Sequence, residues 1–529
     1  MKTLSPGRGV SRRKSAISAA CLLFPGGCRA FAAVRRALCL GLLAASPLCA
    51  RAEAGLDAAP SSVWFPIVAP TRISANITAT EEPALGGPPR AAQTIVKHGD
   101  GYSQFSWSGL NLAIPKDRLL CVPVYLGDFE GPGGFALSLT IQLKNESGAI
   151  SYNFSAGAFR ANRWSYLPLW DPASPASAAF SKPGTSVVAA DTGFDFSRPV
   201  TEITMAPNNL PVGAKLSIGS LETAARTRPV LVVTDDITDD STYTHIVPIM
   251  EAAGFRGGLR IGGFKDASYS PGIVAKLRGA YDKGWDVYNG SWSRTGLNTA
   301  TTSGFFEEEI VACKTRAAEQ GFTRGMTWFS SAGNSLPKQA ICREIGAKTG
   351  MTIFKSGGGV GNVNLLPPGG IELPAIVTSV GMGGYRELQA TGKAGSSTLV
   401  VSPHAVGLRE GCAVSGPGIA PGTTIARDGI RGATVTLSIP LVADVSGPVT
   451  FTDSYEAHQA LADGLVFTGG VLVYFLHDLQ PEGRPPSRIS FPAEDFARVV
   501  AYWKARKDAG LLEVLTPSEL DARLRGSAQ

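Results

Sequence analysis

Histidine is scarce in this sequence: five residues in 529 (His98, His245, His404, His458 and His477), and no two of them form a His-x-x-x-His pair. The eight cysteines include no C-x-x-C and no Cys/His cluster, which excludes zinc-finger and thioredoxin-type chemistry. No G-x-S-x-G marks a serine-hydrolase elbow. The glycine-rich stretch 357–361 is followed by no Lys-Ser/Thr, so it is no phosphate cradle and reads as a loop. Apolar runs are too short to span a bilayer. Charged residues make up only 17% against 44% hydrophobic, a balance that excludes global disorder.

Turn-formers are abundant instead. Gly 62 and Pro 36 rule out a helical bundle and favour strands joined by many loops. The formal charge of +6 is carried by the first residues: 1–52 hold nine basic side chains and no acidic one, leaving 40 basic against 43 acidic beyond them. A chain so close to neutral offers nucleic acid no global attraction. Residues 1–52 read as an export leader: Arg35-Arg36, an apolar run over 37–45, and Ala50-Arg51-Ala52 as a cleavage site before Glu53. Ser11-Arg12-Arg13 faintly suggests a twin-arginine signal. The protein is thus expected in the periplasm, outside the cell or on its surface, with no stable membrane span. Cys121, Cys313, Cys342 and Cys412 lie beyond the leader; Cys313 and Cys342 either pair or stay free.

Residues 53–95 are rich in Ala, Pro and Thr and read as a linker. Over 96–225, short alternating runs separated by turn residues predict an antiparallel β-sandwich. Its Trp107, Trp164, Tyr166 and Trp170 are either core or a platform for sugar rings. From Arg228 strands and helices alternate, which predicts a parallel sheet or barrel. The alternation pauses over 387–453, a polar block read as an inserted β module, and resumes over 454–525. The fold class expected is therefore α/β: an irregular (β/α) barrel preceded by an all-β sandwich and interrupted by a small β insertion.

Two strand ends carry chemistry. Thr234-Asp235-Asp236 closes the first barrel strand, where carboxylates face the open end of such a fold. Successive strand side chains diverge, so one Asp can hold a cation while the other takes a proton from water. Leu476-His477-Asp478 closes a late strand, Val471–Phe475, and sets His477 on the same face as a candidate general acid. Strand-Asp-Asp, strand-Leu-His-Asp and the closing segment Leu511–Leu520 together resemble the polysaccharide deacetylase (NodB-homology) family, over about 228–386 plus 454–525. The resemblance implies Asp235 as catalytic base, Asp236 as ligand of a zinc-like divalent metal, His477 as acid, and hydrolysis of N- or O-acetyl groups on a polysaccharide.

The departures are as informative as the matches. The family's metal His pair falls on Gly290 and Arg294: glycine offers no ligand, and arginine repels a metal. Arg294 can instead neutralise Asp236 with a fixed cation. The family's Arg-x-Pro segment is absent near Phe329–Asn334, and Thr234 and Ile237 replace Phe and Gly. Asn289, Ser291, Arg294, Ser330 and Asp478 are further pocket candidates, with Ser330 or Ser331 as a nucleophile beside His477 in a third reading. Two main functions stay open: an exported deacetylase, or a non-catalytic polysaccharide-binding protein on the same fold.

Overall fold

The computed structural model describes residues 62–81, 92–116, 118–127, 137–180, 189–191, 193–224, 227–236, 240–266, 271–357, 361–366, 371–402, 408–431, 433–480 and 489–526. The expected leader and Ile237 lie outside the described residues.

Two antiparallel sheets form first. Strand Ser138–Lys144 alternates buried and half-buried positions, with Leu139, Ile141 and Leu143 inward, the period of two that a one-sided strand requires. It pairs with Ala149–Ser155 and Val200–Asn208, in a sheet that also holds Phe105–Leu112. The facing sheet is built on Leu120–Leu126, which pairs with Arg163–Leu169 on one edge and with Lys215–Gly219 and Leu221–Thr223 on the other. The stretch expected to be a linker contributes strands Ser62–Phe65 and Ile77–Glu81 to this facing sheet. Trp107 and Trp170 sit in the core, the Trp107 indole donating to the Val68 carbonyl at 2.8 Å, so neither is a sugar platform. Trp164 and Tyr166 are half-buried and face a cavity.

Next comes a sheet that closes on itself. Seven parallel strands run Val230–Asp235, Gly258–Ile261, Asp286–Asn289, Trp328–Phe329, Ile353–Ser356, Ala375–Gly381 and Val471–Leu476, and the last pairs back onto the first. Both ends of the closure are irregular. Val363–Asn364 pairs antiparallel at the start of Val471–Leu476, while Ala375–Gly381 pairs parallel further along. Glu513–Leu515 takes the lower edge of Val230–Asp235, and Gly258–Ile261 the upper. Asn364 stitches the first seam: its amide donates to the Thr378 and Val471 carbonyls at 2.8 and 3.1 Å and accepts from the Thr378 amide at 2.6 Å.

The α/β fold class is corrected here. Strand accounts for 38% and helix for 25%, so the chain is mostly β-sheet and presents no clear (β/α) barrel. The sequence pattern weighed the region after Arg228 too heavily: among the described residues thirteen strands precede it, and those between Ile353–Ser356 and Ala375–Gly381 include a short strand and no helix. The block after Tyr385 is a six-stranded antiparallel sheet with its own core of Leu399, Val435, Val449 and Phe451. Cys121, Cys313, Cys342 and Cys412 are all buried free thiols, so Cys313 and Cys342 do not pair. Among the described residues no helix is long and apolar enough to cross a membrane.

The seam yields a first prediction. Asn364→Ala removes three buried hydrogen bonds and leaves the Thr378 and Val471 backbone groups without them, a loss of about 2 kcal/mol or more in urea unfolding. An unchanged midpoint would contradict the role given to this side chain.

Candidate functional site

The closed sheet sorts its residues by parity. Leu231, Val233, Leu259, Ile261, Leu472 and Tyr474 join the larger core outside it. Val230, Val232, Tyr288, Trp328, Ile353, Val377, Val471 and Val473 form a separate interior cluster, capped at one end by Leu520 and Leu524. Two residues further along the same inward parity come Thr234, Asp236, Arg260 and Lys355. The interior is thus apolar at the bottom and charged at the top, where the strands' C-terminal ends lie.

Lys355 is the centre of that layer. It is fully buried, and its Nζ donates to Asp236 Oδ1, to Thr234 Oγ1 at 3.2 Å and to the Tyr288 hydroxyl at 3.4 Å. The rings of Tyr288 and Phe475 flank the ammonium at 5.4 and 5.2 Å, a cation–π setting. The Tyr288 hydroxyl donates to the same Asp236 oxygen at 2.5 Å. Burial opposes ionisation of Asp236, but Lys355 and Arg260 outweigh it and hold the carboxyl at about 2. Burial lowers Lys355 to about 8 while Asp236 supports its charge, so it stays largely protonated at pH 7. With Arg260 and Asp235 the set carries two positive and two negative groups, all under a tenth exposed.

The residues expected to act are only partly brought together. Asp236 points inward, whereas Asp235 has the opposite parity and its Oδ2 accepts from the Thr242 hydroxyl. His477 follows the last ring strand, its ring set edge-on to Phe475 at 5.3 Å. Burial depresses its pKa; Asp236 pulls upward, and Lys355 and Arg260 push it further down. Arg294 is not the counter-cation of Asp236; among the described residues that role belongs to Lys355. Asn289 is buried and donates to the Ile310 carbonyl at 2.9 Å. Ser330 donates to Asn334 Oδ1 at 2.9 Å, and Ser331 donates to the Ser335 carbonyl. Ser291 is buried at φ 71° with its hydroxyl unpartnered among the described residues. Asp478 opens a short strand pairing with Ser490–Pro492.

A divalent metal does not fit this donor set. Asp236 Oδ1 already accepts from an ammonium and a phenol. At Gly290 a Cβ would meet Arg260 Cγ at 2.5 Å, so the arginine stem fills the space a ligand side chain needs. Among the described residues no three His, Cys, Asp or Glu groups are gathered as a metal would require.

A separate cavity of about 300 Å³ lies between the sandwich and the closed sheet, lined by Trp164, Tyr166, Arg160, Arg163, Gln339 and Arg343 among others. Trp164 packs on Tyr125 at 5.7 Å, and its indole N–H is buried without a hydrogen-bond partner among the described residues. The arginines hold backbone carbonyls across the junction: Arg163 reaches Pro374 at 3.1 Å, and Arg343 reaches Ala161 at 2.8 Å. Burial, then Arg163, lowers Arg160 to about 10.

No protein-family model matches the chain, nor does any curated protein sequence. Among solved structures it is similar to the Xyl-CE4 domain of a multidomain xylanase from the hindgut metagenome of Trinervitermes trinervoides, with 9% identity, TM-score 0.29, and coverage of 56% of this chain and 91% of that one. A family 11 carbohydrate-binding module from Clostridium thermocellum, in complex with a β-1,3-1,4-mixed-linked tetrasaccharide, gives 9% identity, TM-score 0.22, and 32% and 99% coverage. An exo-β-agarase gives 12% identity and TM-score 0.23; the aligned part is 32% of this chain and only 25% of the agarase. TM-scores this far below 0.5 carry no argument about family or substrate.

The buried pair makes a prediction with a sign. Lys355→Met leaves Asp236 without the cation it contacts and costs about 3–5 kcal/mol in urea unfolding, whereas Lys355→Met combined with Asp236→Leu recovers most of that loss. Because the Asp236 carboxyl sits at about 2 in the fold against an ordinary 3.8, its contribution is intact above pH 3.8 and disappears as pH falls through 2. A double variant no more stable than the single one would contradict the pairing.

Proposed function

We propose that this chain is an exported polysaccharide-binding protein that does not hydrolyse its ligand by a metal-dependent route. The observation that carries the reading is the ion pair of Lys355 with Asp236, the residue expected to ligate the metal. An ammonium neutralises a carboxylate but has no open coordination position to polarise an acetyl carbonyl or activate water. Burial, with Lys355 and Arg260, depresses the pKa of His477 and so disfavours the charged form a general acid needs. Binding is supported by Trp164 and Tyr166 at the cavity between the two folds. An indole with a free N–H offers a flat apolar face for a pyranose ring and one donor for a hydroxyl.

Affinity electrophoresis in gels containing xylan, chitin derivatives or agarose tests this reading. Wild-type protein is retarded by at least one polymer, and Trp164→Ala weakens that retardation about tenfold, the size of effect expected for losing one stacked aromatic ring. Release of acetate from an acetylated polymer, abolished by Asp235→Asn, would overturn it.

A further inference from the structure

A second cavity, of about 570 Å³, opens where the last ring strand meets the base of the inserted sheet. Ligand pockets of this size are ordinary, but this one has walls from two sources. The closed sheet supplies Phe475 and His477; the insertion and its exit supply Tyr385, Arg409 and Asp453. Arg409 and Asp453 face each other, Arg409 Nε lying 3.7 Å from Asp453 Oδ1.

The partners of these two side chains are half complete. Asp453 Oδ2 accepts from the Gly383 amide at 2.7 Å and lies 2.9 Å from Nε2 of the fully buried His458. Its Oδ1 is buried and has no hydrogen-bond donor among the described residues. Arg409 donates through Nη2 to the Gly381 carbonyl at 2.9 Å, while its Nη1 is buried and lacks an acceptor. Burial works against the charge on Asp453, but Arg409, His458 and the Gly383 amide outweigh it and keep the carboxyl well below its ordinary range. A buried charged group left short of a hydrogen bond costs free energy unless something completes it.

One open acceptor beside one open donor is the complement of two neighbouring hydroxyls, one donating and one accepting. Arg386 and Glu387, exposed at the rim, balance each other as Arg409 balances Asp453, so the wall favours no ionic ligand. Tyr385 and Phe475 supply apolar faces for ring C–H groups. We infer that Arg409 and Asp453 form a subsite gripping a vicinal diol of a neutral sugar in a short oligosaccharide, with the inserted sheet as one wall. This inference rests on the polysaccharide-binding reading and deepens it: the insertion becomes part of the recognition surface, distinct from the cavity at Trp164.

Calorimetric titration with chitohexaose, xylohexaose and cellohexaose, on wild-type protein and on Arg409→Gln, Tyr385→Ala and Trp164→Ala, tests the subsite. Tyr385 is half-exposed, so its variant keeps the test intact where Arg409→Gln fails to fold. The expected result is a site weakened at least tenfold by Arg409→Gln and severalfold by Tyr385→Ala, and retained in Trp164→Ala. Binding that is lost in Trp164→Ala and indifferent to the other two variants would overturn the subsite and leave the broader reading standing. Wild-type protein that binds none of the three sugars would overturn both.

Discussion

The ion pair between Lys355 and Asp236 is the constraint around which the upper half of the closed sheet is arranged. A charge taken out of water is tolerated only when paired and hydrogen-bonded, and here each requirement is met by a different strand. Ile353–Ser356 brings the ammonium, Val230–Asp235 leads into the carboxylate, Asp286–Asn289 the phenol of Tyr288, and Gly258–Ile261 the second cation, Arg260. Because Arg260 needs room for its stem, residue 290 has no side chain. The two departures that looked independent along the chain, a glycine in a ligand position and a polar strand end, are one packing solution.

That solution moves the interesting surfaces away from the ring's interior. With Asp236 and Lys355 buried and paired with each other and Asp235 held by Thr242, the cavities with incomplete hydrogen bonding lie at junctions. One is between sandwich and closed sheet, where arginines bridge to backbone carbonyls. The other is between closed sheet and insertion. The insertion is tied in by buried contacts such as the Ser177 hydroxyl donating to Glu410 at 2.6 Å, so its position relative to both neighbours is fixed by specific bonds.

Much of this was legible along the chain, and the rest failed for identifiable reasons. Strand ends at Asp235 and Leu476 were readable because buried parallel strands are near-continuous apolar runs. The strands before residue 95 were missed because they are short edge strands, and Ile77–Glu81 is rich in Thr and Ala like a linker. Lys355 was missed although its signal was present: a lysine two residues after Ile353, in a strand that opens Ile-Phe, has the parity of the interior. Arg260, in Gly258–Ile261, carries the same mark. Arg294 was preferred because it stood in a ligand's place in the sequence, but proximity to Asp236 is set by sheet register, and register brings Lys355 there instead. Arg409 and Asp453 are 44 residues apart and meet only through the insertion's fold, so no local pattern announced them.

The most direct measurement of the central claim is the metal content of the protein from Glu53 onward, by elemental analysis after dialysis against micromolar zinc. With Lys355 fixed against Asp236, far less than one zinc per chain is retained, and Asp236→Ala changes nothing. Near-stoichiometric zinc, lost in Asp236→Ala, would contradict the account, because Asp236 Oδ1 is already committed to an internal ammonium and a phenol.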